Sequence, residues 1–350
     1  MPPSSTQSLT RTAWFSGLVV GLVGLVLTAV VSLVLAQSAK ALAEQRFVHS
    51  AQAFTDALAR RLDTYTEIAF GLRGLFAVNP SLSRRDFVQA VERLDMVTRH
   101  PEIKNLAFTR YVRHAQKAAF EAQVRADTSV EPRGYPQFAI RPAGDREVYF
   151  VADYLWPMEG NRGIHGLDIS AQPANLASMR YAQSSGQPVA SGPFDLLQET
   201  THRTGFVIRV PVFRPAQDHT TTNAHDFLGA VAVTLRVWDV MEQLRSEGRL
   251  SGLALYLSDR GTNYGEQKFE VNLPLYLTAT AQDPSIAPEY QRELTVFGRK
   301  WRAQLTPAQA FLSESEQRTP LLFALGGSII SLLSAMVVTM LLRGRSADHA

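Results

Sequence analysis

Residues 205–213, GFVIRVPVF, and residues 227–236, FLGAVAVTLR, read as two strong β segments. The polar stretch Arg214–Asp226, rich in Thr, His and Asp, lies between them as a hairpin tip. Upstream, Leu106-Ala107-Phe108 with Tyr111-Val112 reads as a strand and His114–Arg125 as a helix. Val148–Tyr154 alternates like a strand, Gly166–Ile169 is a short strand and Pro173–Ser184 is helical. Downstream, Val237–Arg245 is a helix, and residues 251–308 hold a smaller group of strands (LALYLSD, LPLYLTA, LTVFGRKWRAQL). Strands mixed with helices without regular βαβ spacing predict an α+β fold built on antiparallel sheets.

Ahead of these strands, residues 37–78 contain no proline and repeat apolar side chains at Leu58, Leu62, Tyr65, Ala69, Leu72 and Phe76. That spacing is a single helical stripe, either an intrachain core face or a dimer seam. Asn79-Pro80-Ser81 stops this helix, and Ser83 followed by Asp86 starts a second one through about Thr98. At both ends the chain turns apolar. Ala13–Ala36 and Pro320–Leu342 carry no charge, and each exceeds the roughly 20 residues that cross about 30 Å of hydrocarbon. Gly17, Gly21 and Gly24 in the first run, and Gly326, Gly327, Ser328 and Ser331 in the second, have the small-residue spacing that lets membrane helices approach closely. Arg11 precedes the first span, and Arg343 and Arg345 follow the second. Short basic flanks of this kind place both termini in the cytoplasm and the middle outside.

The chain has 350 residues, 35 basic and 32 acidic, of which 32 and 31 lie between the spans. A body this close to neutral excludes an electrostatic nucleic-acid binder. The absence of cysteine excludes disulfides, thiolate metal sites and cysteine nucleophiles. The histidines at 165, 202, 219 and 225 have no metal-ligand spacing, Ser191 lies in SGP rather than GxSxG, and Gly160 and Gly163 are too few for a phosphate loop. The sequence predicts no enzyme, metal or cofactor.

Several blocks in order resemble the CHASE family, the extracytoplasmic sensor module of bacterial and plant membrane receptors, over roughly residues 65–245. They are GLRGLFAVNPSLSRRDF, LAFTRYVRHAQKAAFE, YFVADYLWPMEGNRGIHGLDIS, the helix from Pro173, SGPFDLLQE, GFVIRVPVFRP and FLGAVAVTLRVWDVMEQL. The resemblance implies a long stalk helix carrying a distal and a proximal PAS-like antiparallel sheet, dimerised through the stalk, with a small ligand held by the distal sheet. In plant members that ligand is an adenine derivative held by an aspartate in the strand matching GLDIS, which is Asp168 here. The same resemblance places Ala190 and Thr200 at the pocket walls, and Ala190 is smaller than the aliphatic found there in plant receptors.

The residues themselves add Tyr149, Phe150, Tyr154 and Trp156, aromatics that either stack on a planar ligand or fill the core. Phe194 and Glu199 either shape the pocket rim or end a strand. The resulting plan is a cytoplasmic N-terminus (1–12), a first span (13–36), a stalk helix (37–78), a distal sensor domain (79–250), a membrane-proximal PAS-like subdomain (251–308), a second span (320–342) and a cytoplasmic tail (343–350). The expected ligand contacts are Asp168, Ala190, Thr200, Tyr149 and Phe194. The expected role is a receptor of the bacterial inner membrane with a periplasmic sensor, signalling to a histidine kinase or diguanylate cyclase, either a membrane partner or a domain missing from this chain. A membrane-anchored scaffold that binds an extracytoplasmic protein is the alternative.

Overall fold

The computed structural model describes residues 5–197, 200–201, 204–214, 226–262, 271–278, 289–308, 311 and 314–347. In chain order it contains α1 (Ser5–Val78), α2 (Arg84–Arg93), α3 (Met96–Arg99), β1 (Ile103–Arg113), α4 (Lys117–Ala126), β2 (Val148–Trp156) and α5 (Pro173–Ser185). Then follow β3 (Val189–Ala190), β4 (Phe194–Asp195), β5 (Thr204–Phe213), β6 (Phe227–Arg236), α6 (Val237–Ser246), β7 (Leu253–Thr262), β8 (Leu273–Leu277), β9 (Tyr290–Val296), β10 (Arg299–Pro307) and α7 (Glu314–Ala347). The chain divides into two compact units, residues 50–308 and residues 1–49 with 309–350.

In the first unit, the described strands form two antiparallel sheets. The larger has the order β2-β1-β6-β5-β3 with β4 also on β5, and the smaller has the order β8-β7-β10-β9. This is the α+β architecture that the mixed strand and helix pattern predicts. The inner strand β1, between β2 and β6, is covered on both faces. Leu106, Phe108 and Val112 point to one side and are fully or almost fully buried. On that side lie α1 and α2, where the Phe108 ring stacks on Phe76 at 4.3 Å and Phe87 packs on Tyr154 at 5.7 Å.

The apolar stripe of α1 is therefore core: Leu58, Leu62, Tyr65, Ala69, Leu72 and Phe76 are all buried within the chain, which decides against a dimer seam along this stripe. The exposed face of the same helix is polar, with Arg60, Asp63 and Glu67. The start of α2 is capped as its sequence predicts, with the Ser83 hydroxyl accepting from the Asp86 amide at 3.1 Å. The helix breaks earlier than Thr98, because Asp95 adopts a left-handed conformation.

One expected strand is absent. Gly166–Ile169 makes only two isolated bridges, Arg141 to Leu167 and Val151 to Asp168, and a 3-10 turn begins at Ile169. Gly166 has φ +85°, and the Asp168 carboxylate caps the amide of Ser170, so the backbone bends away from the extended form. The expected hairpin tip lies largely outside the described residues (215–225), as do His202, His219, His225 and Glu199.

In the second unit, α7 and the first part of α1 are each long and apolar enough to cross a membrane. Trp14, Phe15, Leu18, Leu22, Leu322 and Leu333 expose more than half of their surface, as lipid-facing side chains do. The small residues face each other. A Cβ at Gly24 would stand 2.5 Å from the Ser331 hydroxyl, one at Gly21 3.1 Å from Ala335, and one at Gly327 2.5 Å from Thr28. The close approach that the glycine spacing predicts is therefore a contact between the two helices of one chain. Beyond it, Arg46 forks onto Glu316 through bonds of 2.9 and 2.8 Å.

Replacing Phe76 by Ala removes a fully buried ring from the stalk and sheet packing. It is expected to cost about 3–5 kcal/mol in denaturant unfolding, whereas Asp63→Ala on the exposed face stays within about 0.5 kcal/mol.

Candidate functional site

The face of the larger sheet turned away from α1 encloses a cavity of ≈ 60 Å³. Its existence follows from side-chain size. Strand alternation brings Asn105, Ala107 and Thr109 of β1, Ala152 of β2, Val207 and Arg209 of β5, and Ala232 and Thr234 of β6 onto one face. In register, Ala107 lies opposite Ala232, Ala232 opposite Arg209, and Thr109 opposite Ala152. Three alanines on neighbouring strands thus leave a shallow floor where larger residues would close the sheet against its cover. The cover comes from Ile164, Leu167 and Ile169, from Gln172 and Asn175 at the start of α5, and from Phe194, Leu196 and Leu197 after β3.

The walls are mostly apolar, with polar groups fixed at two ends. Arg209 is 2 % exposed, and its guanidinium donates to the Ser178 hydroxyl at 3.1 Å and to Asn175 Oδ1 at 2.9 Å. Asn175 in turn donates to Gln172 Oε1. At the other end, Asn105 accepts from the Thr234 hydroxyl at 2.9 Å and donates to Asn161 Oδ1 at 3.1 Å. A guanidinium and several amides held in fixed directions around a small apolar chamber can orient a ligand with hydrogen-bonding groups. Among the described residues, no three His, Asp or Glu side chains are arranged to hold a metal.

Of the five expected ligand contacts, Phe194 lines this cavity. Asp168 does not, although its neighbours Leu167 and Ile169 do. Its side chain is fully buried, with Oδ1 accepting from the amides of Phe150 at 3.0 Å and Ser170 at 3.1 Å, and Oδ2 lying 3.5 Å from Arg146 Nη1. The carboxylate ties the 3-10 turn to β2 and so holds the cavity wall. Tyr149 belongs to a separate cluster with Val112, Val124, Phe138, Ile140 and Val151, where its hydroxyl donates to the Gly144 carbonyl at 3.1 Å. Ala190 pairs with Ile208, and its amide donates to the Phe297 carbonyl of the β9–β10 turn at 3.0 Å. Thr200 is exposed and is not among the residues that line the cavity.

The residues that the sequence reading passed over are Asn105, Thr109, Arg209 and Thr234. Each is a polar side chain spaced by two from an alanine or valine on the same face of its strand. That alternation was the available signal.

Behind the cavity, a bulge between Phe108 and Thr109 leaves Asp153 without a partner on β1 and turns it to the α1 side. There Arg84 donates to the Asp153 carboxylate at 2.7 Å and to Asp127 at 2.9 Å, and Arg110 binds the other Asp153 oxygen at 2.5 Å. The Arg84 guanidinium lies over the rings of Tyr135 and Tyr154. Burial, and then the charge of Arg84, hold the neighbouring His165 down at about 4, so this imidazole is neutral at pH 7.

With this geometry in place, sequence comparison finds a match to the CHASE domain over residues 80–269. The chain belongs to the CHASE domain family. Its sensor module thus covers the larger sheet with its cavity and continues into β7. No curated protein matches the sequence. Solved structures similar to it include an extracellular ligand-binding receptor from Desulfohalobium retbaense, with 14 % identity and a TM-score of 0.43 over 74 % of this chain. The match spans 40 % of the length of that receptor. Methyl-accepting chemotaxis protein X is similar at 12 % identity and a TM-score of 0.44, covering 77 % of this chain and 98 % of that one. The ligand-binding domain of the Pseudomonas aeruginosa amino acid chemoreceptor PctC, solved with GABA, is similar at 13 % identity and a TM-score of 0.38, over 75 % of this chain and 98 % of that one.

Two outcomes test this CHASE site. Asp168→Ala strands the buried amide of Phe150 and the half-buried amide of Ser170 and is expected to destabilise the ligand-free protein by about 2–3 kcal/mol in urea unfolding. His165 has a folded-state value below its unfolded 6.5, so the unfolded chain binds the extra proton first and stability falls as pH drops from 6.5 towards 4. His165→Gln is expected to remove about 3 kcal/mol of the stability difference between pH 7 and pH 4.

Proposed function

We propose that this CHASE protein is a sensor of the bacterial inner membrane that binds a small molecule in the cavity of its larger sheet. In this reading residues 13–36 and 320–342 span the membrane, 37–78 form the stalk, 79–250 the distal sensor and 251–308 the proximal subdomain, all external between the spans. Residues 1–12 and 343–350 are cytoplasmic. The observation that carries the reading is the cavity itself. It is a chamber of ≈ 60 Å³ between three strand alanines and a cover, with Arg209, Asn175 and Asn105 presenting fixed polar groups. Phe194 contacts the ligand directly, while Asp168 positions the wall that touches it.

Occupancy signals only where the ligand prefers one of two arrangements of the protein. The stalk and both spans carry the change to a cytoplasmic output of the histidine kinase or diguanylate cyclase kind. A homodimer through the stalk uses the exposed polar face of α1 at Arg60, Asp63 and Glu67, since the apolar stripe is already covered.

The full chain in detergent, screened by thermal shift against amino acids, nucleobases and short organic acids, tests the reading. A specific compound at one hundred times its Kd is expected to add about 2.7 kcal/mol of stability. Ala232→Leu fills the cavity floor and is expected to abolish that shift. A shift of equal size in Ala232→Leu places the ligand elsewhere and overturns the assignment.

A further inference from the structure

A second and larger concavity lies outside the cavity and shares none of its lining residues. It is a cleft of ≈ 480 Å³ between residues 134–141 and 158–165, lined by Tyr135, Phe138, Arg141, Met158, Arg162 and His165 together with backbone. We propose that this cleft is a second binding site, for a small planar carboxylate. The proposal is independent of the cavity reading.

Size comes first. The cleft falls within the range of about 300–1,000 Å³ usual for small-molecule sites. Its chemistry is one-sided: two guanidinium groups line it and no carboxylate does. The Arg141 Nη2 is fixed by the carbonyls of Gly163 at 3.0 Å and His165 at 2.8 Å, which hold the guanidinium in place. Arg162 is 68 % exposed and is ion-paired with Glu131 at 3.6 Å, a separation beyond hydrogen-bond distance. A forked anion matches the donor geometry of such groups.

The remaining lining combines the rings of Tyr135, Phe138 and His165 with Met158 and the polar Gln137. The His165 ring packs at 4.8 Å on Tyr135 and 4.7 Å on Phe138, and being neutral it offers an aromatic surface rather than a charge.

The loops are set before any ligand arrives. Arg125 donates to the Phe138 carbonyl at 2.8 Å, Glu121 accepts from the Ile140 amide at 2.9 Å, and the Arg141 amide donates to the Gly166 carbonyl at 2.9 Å. A Cβ at Gly166 would stand 2.6 Å from the Ala139 carbonyl, so the two loops approach as closely as only glycine permits. Preformed loops spare a ligand the entropy of ordering them. Tyr135 is also the ring beneath Arg84, which binds Asp153 at the β1–β2 bulge, so an occupant leaning on Tyr135 touches the charge network beside α1.

The test uses the full chain in detergent with 4-azidobenzoate as a photolabel and benzoate as competitor, read by mass spectrometry. The expected result is saturable labelling of peptides covering 134–141 or 158–165, competed by benzoate. That labelling should fall at least fivefold in Arg162→Glu, persist in large part in Arg162→Lys, and be unchanged in Ala232→Leu. Labelling that benzoate does not compete, that falls on the cavity segments, that is the same in Arg162→Glu, or that is lost equally in both Arg162 variants overturns the proposal. Failure of the cavity reading shows separately, in the Ala232→Leu thermal shift.

Discussion

The stack of Phe108 on Phe76 at 4.3 Å commits β1 to face α1 with its even-numbered residues. A strand places successive side chains on opposite faces, so the choice for Phe108 also decides where Asn105, Ala107 and Thr109 go. They face the cavity. A shift of register by one residue would bury Asn105 and Thr109 against the stalk and turn Leu106 and Phe108 outward to α5. The apolar contact with the helix and the polar rim of the cavity are two results of one pleat.

The bulge opposite Phe108 and Thr109 relaxes that alternation at a single point. It allows both Asp153 and Tyr154 to reach the α1 side while Ala152 still faces the cavity. The network of buried Arg84 and Asp153 with the partly exposed Arg110 is built at this point, and a buried charge requires such partners. Anything that moves Ala152 or Thr109 acts on backbone that is hydrogen-bonded within the same bulged pair. A second connection runs through the cover. The segment that supplies Ala190, Phe194 and Leu196 bonds to the Phe297 carbonyl at the turn of the smaller sheet, where Phe206 also meets Trp301 edge-on at 4.9 Å. The cavity is thus bounded by elements that continue towards the stalk on one side and towards the smaller sheet on the other.

Much of the architecture was legible because it rests on periodicity. The stripe from Leu58 to Phe76, the paired runs at 205–213 and 227–236, and the two uncharged ends each repeat one simple pattern over many residues. The Ser83 cap was legible for the same local reason. The site was less so. Asp168 stood out as a carboxylate among apolar neighbours, and its Oδ1 accepts from the amides of both Phe150 and Ser170. Tyr149 stood out as an aromatic in a strand, yet its ring lies among Val112, Ile140 and Val151. A sequence shows which side chain is chemically unusual and does not show which backbone group comes to meet it.

The sequence by itself determined the membrane-spanning lengths, the helical stripe, the alternating strands and the order of blocks that marks the family, because these depend on neighbours three, four or two residues away. Only the tertiary structure decided that the α1 stripe is an internal core face, that Gly24 meets Ser331, and that Ala107, Ala152 and Ala232 leave a common hollow beside Arg209. Those outcomes depend on register between strands and packing between helices distant in sequence. Such contacts form only when the whole set of apolar faces is buried together.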